Sequence, residues 1–347
     1  MYLINGTEVS KNNFNSPIEN LSFWRGDGIF EAIRIHEGFL FALDRHLKRL
    51  ERSAHKMLFN DIDFYSIKKD LQKVASNFTQ GYVRVIISRS ETFENYDVFI
   101  FHQKPVEIPD YYSLETQLSP WHPGGDFSLE DNQIIGTKST SYALNVTQTR
   151  LAEQNGFTDA LLLNRNNIIL EGPTFSVGWI KGDKVFIPDL NLGILDSITR
   201  QYINLFGTNN LLKVQESRVT VDEIYEMDTV FVISTAKHGK FVNKINEKTY
   251  EPSPLLEVIQ ECFKNKRIET IKIRLEKPEA IEGAVEQAVE QFDFTDTDNF
   301  EIDYSLDYDG RVQCESHEFN NSHNLVDEIV IKVCNLFKEV EDEETAK

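Results

Sequence analysis

Cysteine is scarce in this chain. Its three cysteines, Cys262, Cys314 and Cys334, are too few and too scattered for a disulfide framework or a zinc site, so no metal centre is expected. Long apolar runs are also missing. No stretch approaches the roughly 18 residues that a membrane span requires. The opening residues, Met1-Tyr2-Leu3-Ile4-Asn5-Gly6, lack the charged segment and apolar core of a secretory leader. A cytoplasmic location with no membrane partner is the resulting expectation. Positive charge is in short supply too. Against 56 acidic side chains stand 36 lysines and arginines, for a net charge of −20. That balance argues against a nucleic-acid partner, which needs positive potential.

What is present is an ordinary globular composition, 40% hydrophobic and 27% charged, over 347 residues. Such a length accommodates two or three domains with sizeable cores. The charge is uneven. From Glu269 to Lys347 lie 22 of the 56 acidic side chains but only 7 of the 36 basic ones, which marks a separate acidic module.

The pattern of apolar residues predicts an α/β chain. In the first part, strands are expected at Ile29 to Ile35, Phe39 to Phe41, Tyr82 to Ser88 and Val98 to Phe101. A helix capped by Asp44 carries Leu43, Leu47, Leu50 and Ala54, and another spans Tyr65 to Ser76. From Lys104 to Gln133 prolines and glycines break the rhythm, and we read an interdomain connection. Beyond it, helices are expected at Ala143 to Gln154, from Ser197 to Gly207 and at Leu255 to Lys264. Strands are expected at Asp159 to Asn164, Ile168 to Leu170, Val177 to Lys181, Lys184 to Ile187 and Thr229 to Ile233. The tail reads as a small β-α-β-β-α unit. Its strands hold Ile271 to Leu275 and Phe300 to Leu306, with helices near Pro278 and over Leu325 to Phe337 and a hairpin turn at Asp307 to Gly310. This gives domains at 1–110, 134–268 and 269–347, with 111–133 as the connection.

Several residues could carry chemistry. Lys138, in Gly136-Thr137-Lys138-Ser139-Thr140-Ser141-Tyr142, follows apolar residues that allow burial, and a buried lysine can become the neutral amine that Schiff-base chemistry needs. Glu171 ends the apolar run Ile168-Ile169-Leu170, where a buried carboxylate would hold a pyridinium proton. Gly193 to Arg200 reads as a loop entering a helix N-terminus. Asp196 or Ser197 is its cap, and the N–H groups of Ile198 and Thr199 face an anion. Arg49 could reach a phosphate with its guanidinium fork. Tyr82 and Arg84 share a strand face and suit a substrate carboxylate. Ser234-Thr235-Ala236 follows a buried strand and could hold another anion. Each alone has a plain structural explanation. Together they supply an amine, a carboxylate and an anion cradle, in an order that suits pyridoxal phosphate.

Residues 1 to 268 resemble the fold-type IV pyridoxal-phosphate enzymes. The resemblance rests on Gly26 to Arg34, Arg45 to Leu50, Lys138 to Tyr142, Gly156 to Leu163, Leu170 to Gly172, Gly193 to Arg200 and Ser234 to Ala236. It implies two α/β domains with the cofactor at their interface, usually in a homodimer. It implies that Lys138 holds the cofactor and moves a proton at the substrate α-carbon. Glu171 would pair with the ring nitrogen, Leu195 would pack on the ring, and Arg49, Ile198, Thr199 and Thr235 would hold the phosphate. Phe30, Arg34, Tyr82, Arg84, Thr235 and Ala236 would meet the substrates, an amino acid and a 2-oxo acid. The blocks around Phe30, Tyr82 and Thr235 are similar to those of branched-chain aminotransferases. An aminodeoxychorismate lyase, a D-amino acid aminotransferase and a non-catalytic cofactor-binding protein are the alternatives. Three departures stand out: Phe157 where many members have a tyrosine for the cofactor's phenolic oxygen, Ser197 in place of the usual glycine, and the cationic segment Lys237-His238-Gly239-Lys240.

Overall fold

The computed structural model describes residues 1–36, 38–122, 134–269, 300–306 and 312–318, with the backbone alone from 265 onward. The chain divides into two compact units, Met1–Arg267 and Ile268–Lys347.

The first unit holds two sheets. One is built from β1 (Tyr2–Ile4), β2 (Thr7–Glu8), β3 (Gly28–His36), β4 (Phe39–Leu40), β5 (Gln80–Arg89) and β6 (Tyr96–Gln103), in the order β2-β1-β6-β5-β3-β4. All its recorded pairings are antiparallel. The short helix α1 (Leu21–Arg25) and the longer α2 (Leu43–Lys56) and α3 (Phe64–Ala75) belong to this half. Strand alternation divides the chemistry. On one face of β3 and β5, Ile29, Ile33, Ile35, Val83, Val85 and Ile87 pack into a core with Leu50, Ala54, Ile67 and Leu71 of α2 and α3. Each such side chain, fully buried, contributes roughly 1.5–3 kcal/mol. The opposite face carries Phe30, Ala32, Arg34, Tyr82 and Arg84, with Ala32 paired to Arg84 and Arg34 to Tyr82.

The other sheet comprises β7 (Tyr111–Leu118), β8 (Asp159–Leu163), β9 (Ser176–Lys181), β10 (Lys184–Pro188), β11 (Lys213–Ser217), β12 (Thr229–Ile233), β13 (Lys240–Ile245) and β14 (Lys248–Thr249). Its order is β11-β10-β9-β12-β13-β7-β8, with β14 on β13. The central strands β9 and β12 are apolar runs because both their faces are covered. The helices of this half are α4 (Ala143–Gln154), α5 (Ile198–Thr208), α6 (Val221–Ile224) and α7 (Pro254–Glu269). The mixed α/β class matches the sequence reading.

Three local expectations change and one open alternative is resolved. Asp44 does not cap α2: Ala42, in the left-handed region, precedes the helix, and Asp44 sits in its first turn. Ile168 to Leu170 forms isolated bridges to Leu163 and Thr220 in place of a strand. The segment read as a connection contains β7, which pairs in parallel with both β8 and β13. Its partners lie far away in sequence, so local pattern gave no sign of them. Ser197, and not Asp196, caps α5, its hydroxyl accepting from the Arg200 N–H at 3.1 Å.

In the second unit, β15 (Phe300–Leu306), a strand its alternation predicts, pairs antiparallel with β16 (Val312–Glu318). The strand at Ile271, the helices near Pro278 and over Leu325 to Phe337, and the turn at Asp307 to Gly310 lie outside the described residues. Among the described residues, no helix is long and apolar enough to cross a membrane.

Candidate active site

The polar face of β3 and β5 and the strand ends and loops of the larger sheet enclose a cavity of about 810 Å³. Of the twelve site residues expected from sequence, eleven line it. The exception is Arg34, whose Nη1 donates to the Ala236 carbonyl at 3.2 Å and so ties β3 to the turn after β12.

Lys138 is delivered by a segment laid along the start of β3. The Phe30 N–H donates to the Lys138 carbonyl at 3.1 Å, and the Thr140 N–H to the Gly28 carbonyl at 2.8 Å. This places the Lys138 amine 4.5 Å from the centre of the Phe30 ring and 5.6 Å from that of Tyr142. Burial, aided by the positive charge of Arg49, lowers its pKa to about 8. The buried Glu171 carboxylate accepts from the Leu195 N–H at 3.2 and 3.3 Å. Its pKa is raised to about 8, burial outweighing that hydrogen bond and the charge of Lys138.

The anion cradle follows from one glycine. Gly193 takes φ +76°, a conformation that other residues adopt only with strain, and it turns the chain into Ile194 to Ser197 and then α5. The first N–H groups of α5 have no partner within the helix, and Ile198 and Thr199 line the cavity there. Hydroxyls cluster beside them. Ser176 Oγ donates to Ser197 Oγ at 2.8 Å, and Ser197 Oγ lies 3.4 Å from Thr199 Oγ1.

Sequence reasoning missed a buried ion group behind this end. Glu31 lies on the apolar face of β3, between Ile29 and Ile33, and is itself buried. It accepts from Arg49 Nε and Nη2, both at 2.7 Å, and from His46 Nδ1 at 2.7 Å. Arg49 Nη1 also donates to the Asp196 carbonyl at 3.4 Å. His46 and Arg49 reach the same carboxylate because they stand three residues apart on α2. Burial alone would raise the Glu31 pKa, but the charges of Arg49 and His46 hold it well below the carboxylate range. The signal was readable: a charged residue alternating with isoleucines needs an internal counter-ion.

Phe157 does not line the cavity and packs in the cluster of Ala152, Ala160 and Leu170. Besides Tyr82, the cavity holds the phenol of Tyr142, four residues after Lys138. Burial and then the charge of Glu171 raise its pKa to about 12, so it remains a donor at neutral pH. Gln103, another cavity residue, accepts from Arg84 Nε.

These groups suit a ligand with an anionic end, an aromatic body and a carbonyl that an amine can attack. Known proteins point the same way. A family model described as "Amino-transferase class IV" matches residues 28–245. The D-alanine aminotransferase of Bacillus licheniformis is 27% identical over 278 residues, covering 76% of this chain and 95% of that protein. A probable branched-chain-amino-acid aminotransferase of Thermotoga maritima is 30% identical over 246 residues, covering 68% of this chain and 84% of that one. Among solved structures, a hypothetical aminotransferase from Mycobacterium tuberculosis in its PLP-bound form superposes with a TM-score of 0.70 at 20% identity. That likeness covers 77% of this chain and 98% of that one, and it is a likeness of fold.

Proposed function

The chain belongs to the class IV aminotransferase family, and from that premise we propose that it moves an amino group between an apolar, branched-chain-type amino acid and a 2-oxo acid. It is a pyridoxal-phosphate-dependent aminotransferase. The residues present fit that cofactor: a lysine whose amine is readily neutral, a buried carboxyl bonded to the Leu195 N–H, and a helix N-terminus fringed with hydroxyls.

When bound, pyridoxal phosphate supplies a ring that withdraws electrons from the substrate α-carbon. The remaining roles fall to side chains of this chain. Lys138 binds the cofactor and carries the proton to and from the α-carbon. Glu171 keeps a proton at the ring nitrogen. The N–H groups of Ile198 and Thr199, the Thr199 and Thr235 hydroxyls and Arg49 hold the phosphate. Leu195 would pack on the ring, and Tyr142 would donate to its phenolic oxygen. Tyr82 and Arg84 bind the substrate carboxylate, while Arg34 positions the Ala236 turn. The apolar side-chain preference is supported by Val106, Ile108, Trp121 and Ile134 in the cavity wall.

The single observation that carries this reading is that Lys138, partly buried, lines the same cavity as Glu171 and the α5 N-terminus. A panel of L- and D-amino acids, offered with a 2-oxo acid, tests it. Amine transfer should be fastest from L-leucine, L-isoleucine or L-valine. A preference for D-alanine, or for polar donors, would overturn the branched-chain assignment.

The lowered pKa of Lys138 gives a second expectation. A lysine amine attacks only when neutral. Capture of added cofactor by the cofactor-free chain should therefore accelerate as pH rises and level off just above the Lys138 pKa of about 8. An ordinary lysine would keep accelerating toward its usual 10.5. A stopped-flow series across this range decides between them, and a rate still climbing tenfold per unit above about pH 9 would contradict the assignment.

A further inference from the structure

The chain reaches Lys138 through a tight turn whose middle peptide can face either of two ways. The Thr137 N–H donates to the Ile134 carbonyl at 3.0 Å, and Gly136 takes φ +75° while Ile135 keeps a negative φ. A positive φ at the third position alone marks a type II turn. Rotating the Ile135–Gly136 peptide would convert it to type I, with the Ile135 carbonyl pointing the opposite way. Glycine tolerates both forms, so local sequence does not fix the choice.

A side chain outside the cavity fixes it. Lys56, in the last turn of α2, donates from Nζ to the Ile135 carbonyl at 2.9 Å. No carboxylate among the described residues pairs with Lys56, and burial with the charge of Arg52 disfavours its ammonium. The charge is directed instead at one backbone carbonyl, in a bond stronger than one between neutral groups. On its other side the turn abuts the anion cradle, since a Cβ at Gly136 would lie 3.1 Å from the Ile194 carbonyl. Ser53, buried and three residues before Lys56, accepts from the Lys138 N–H at 3.4 Å. Arg49, Ser53 and Lys56 share one face of α2. One helix therefore grips the Lys138 segment at two points and carries the arginine of the cavity.

We propose that Lys56 is a positioning residue for Lys138: by holding the Ile135 carbonyl it fixes the turn that delivers the Lys138 amine to the reacting atoms. This rests on the role of Lys138 in the transaminase reading. Lys56 itself does not line the cavity. An amine displaced by about 1 Å forfeits up to about 10²-fold in rate.

The test compares the parent with Lys56→Met, which keeps the stem but not the donor, and with Lys56→Arg, which keeps a donor. In the holoenzyme, Lys56→Met should lower kcat for amine transfer about 10- to 100-fold and leave the donor KM within about threefold. Lys56→Arg should stay within about fivefold of the parent kcat. Cofactor capture by the cofactor-free chain adds a signature that lost stability would not produce. The charges acting most on the Lys138 amine are those of Arg49, Glu31, Arg84 and Glu171. In Lys56→Met the capture rate should therefore level off at the parent's pH, but at a plateau about tenfold or more lower. Inorganic phosphate should bind both cofactor-free chains with affinities within about threefold, because the cradle keeps its own bonds. A kcat and a capture plateau both within about threefold of the parent in Lys56→Met would overturn the inference. So would an equal loss in Lys56→Arg, or a phosphate site weakened as much as the rate. Failure of the transaminase reading is distinct. The parent would then transfer no amine from any donor, while the capture plateau would still fall in Lys56→Met.

Discussion

Replacing Lys138 with alanine should remove transamination almost completely while leaving a folded protein. The amine sits near the Phe30 and Tyr142 rings, and burial with the Arg49 charge keeps its pKa near 8. A proton carrier in that position is worth about 10²–10⁴ in rate, and loss of the covalent hold on the cofactor adds to it. The expected fall in kcat is therefore about 10³-fold or more. The anion cradle, built from Gly193 to Thr199, is untouched, and the Lys138 carbonyl still accepts from the Phe30 N–H. Cofactor should still bind, weakly and reversibly, and be lost on dialysis. Steady-state rates and the retained cofactor absorbance report both effects. A variant within tenfold of the parent rate would remove Lys138 from its role.

The second large effect concerns folding more than chemistry. Glu31→Leu should destabilise the first unit by about 3–5 kcal/mol, because it leaves the Arg49 guanidinium buried without its carboxylate. For a unit of this size that corresponds to a fall in Tm of roughly 6–20 °C. Phosphate affinity should weaken with it, since Glu31 fixes the guanidinium that lines the anion cradle. Glu31→Gln, which keeps the shape and some hydrogen bonding, should lose less. The sign with pH follows from the lowered pKa of Glu31. Its contribution is fully present above the ordinary carboxylate value and is lost only as pH falls through the depressed folded value. The parent should hold this ion group at acidities where exposed carboxylates are already protonated. Thermal melts of both variants check this, and a Tm within about 2 °C of the parent for Glu31→Leu would contradict it.

Much of the site was legible because its parts are local motifs. Lys138 stands in a run of small hydroxyl residues, Gly193 precedes a capped helix, and Tyr82 and Arg84 alternate on one strand. Spacing placed Tyr82 and Arg84 on one face, and the family resemblance joined them to Lys138 and the Gly193 loop. What stayed hidden depends on partners distant in sequence. The strand Tyr111–Leu118 exists because β8 and β13 flank it, more than forty and one hundred residues later. Glu31 finds Arg49 and His46 only once α2 folds onto β3. Arg34 looked like a substrate contact, but its partner is the Ala236 carbonyl, 202 positions away. Phe157 seemed to mark a missing phenol, yet Tyr142 stands in the cavity and Phe157 elsewhere. In each case the residue type was informative and the partner was not.

As an aminotransferase, this chain performs half of an exchange and then waits for an acceptor. The most direct measurement mixes the cofactor-loaded chain with L-leucine in the absence of any 2-oxo acid and quantifies the oxo acid formed. One equivalent per chain, followed by arrest and by a second burst when an acceptor is added, is the expected result. Continuous product formation without an acceptor, or no change in the cofactor's absorption band on adding any amino acid, would contradict it.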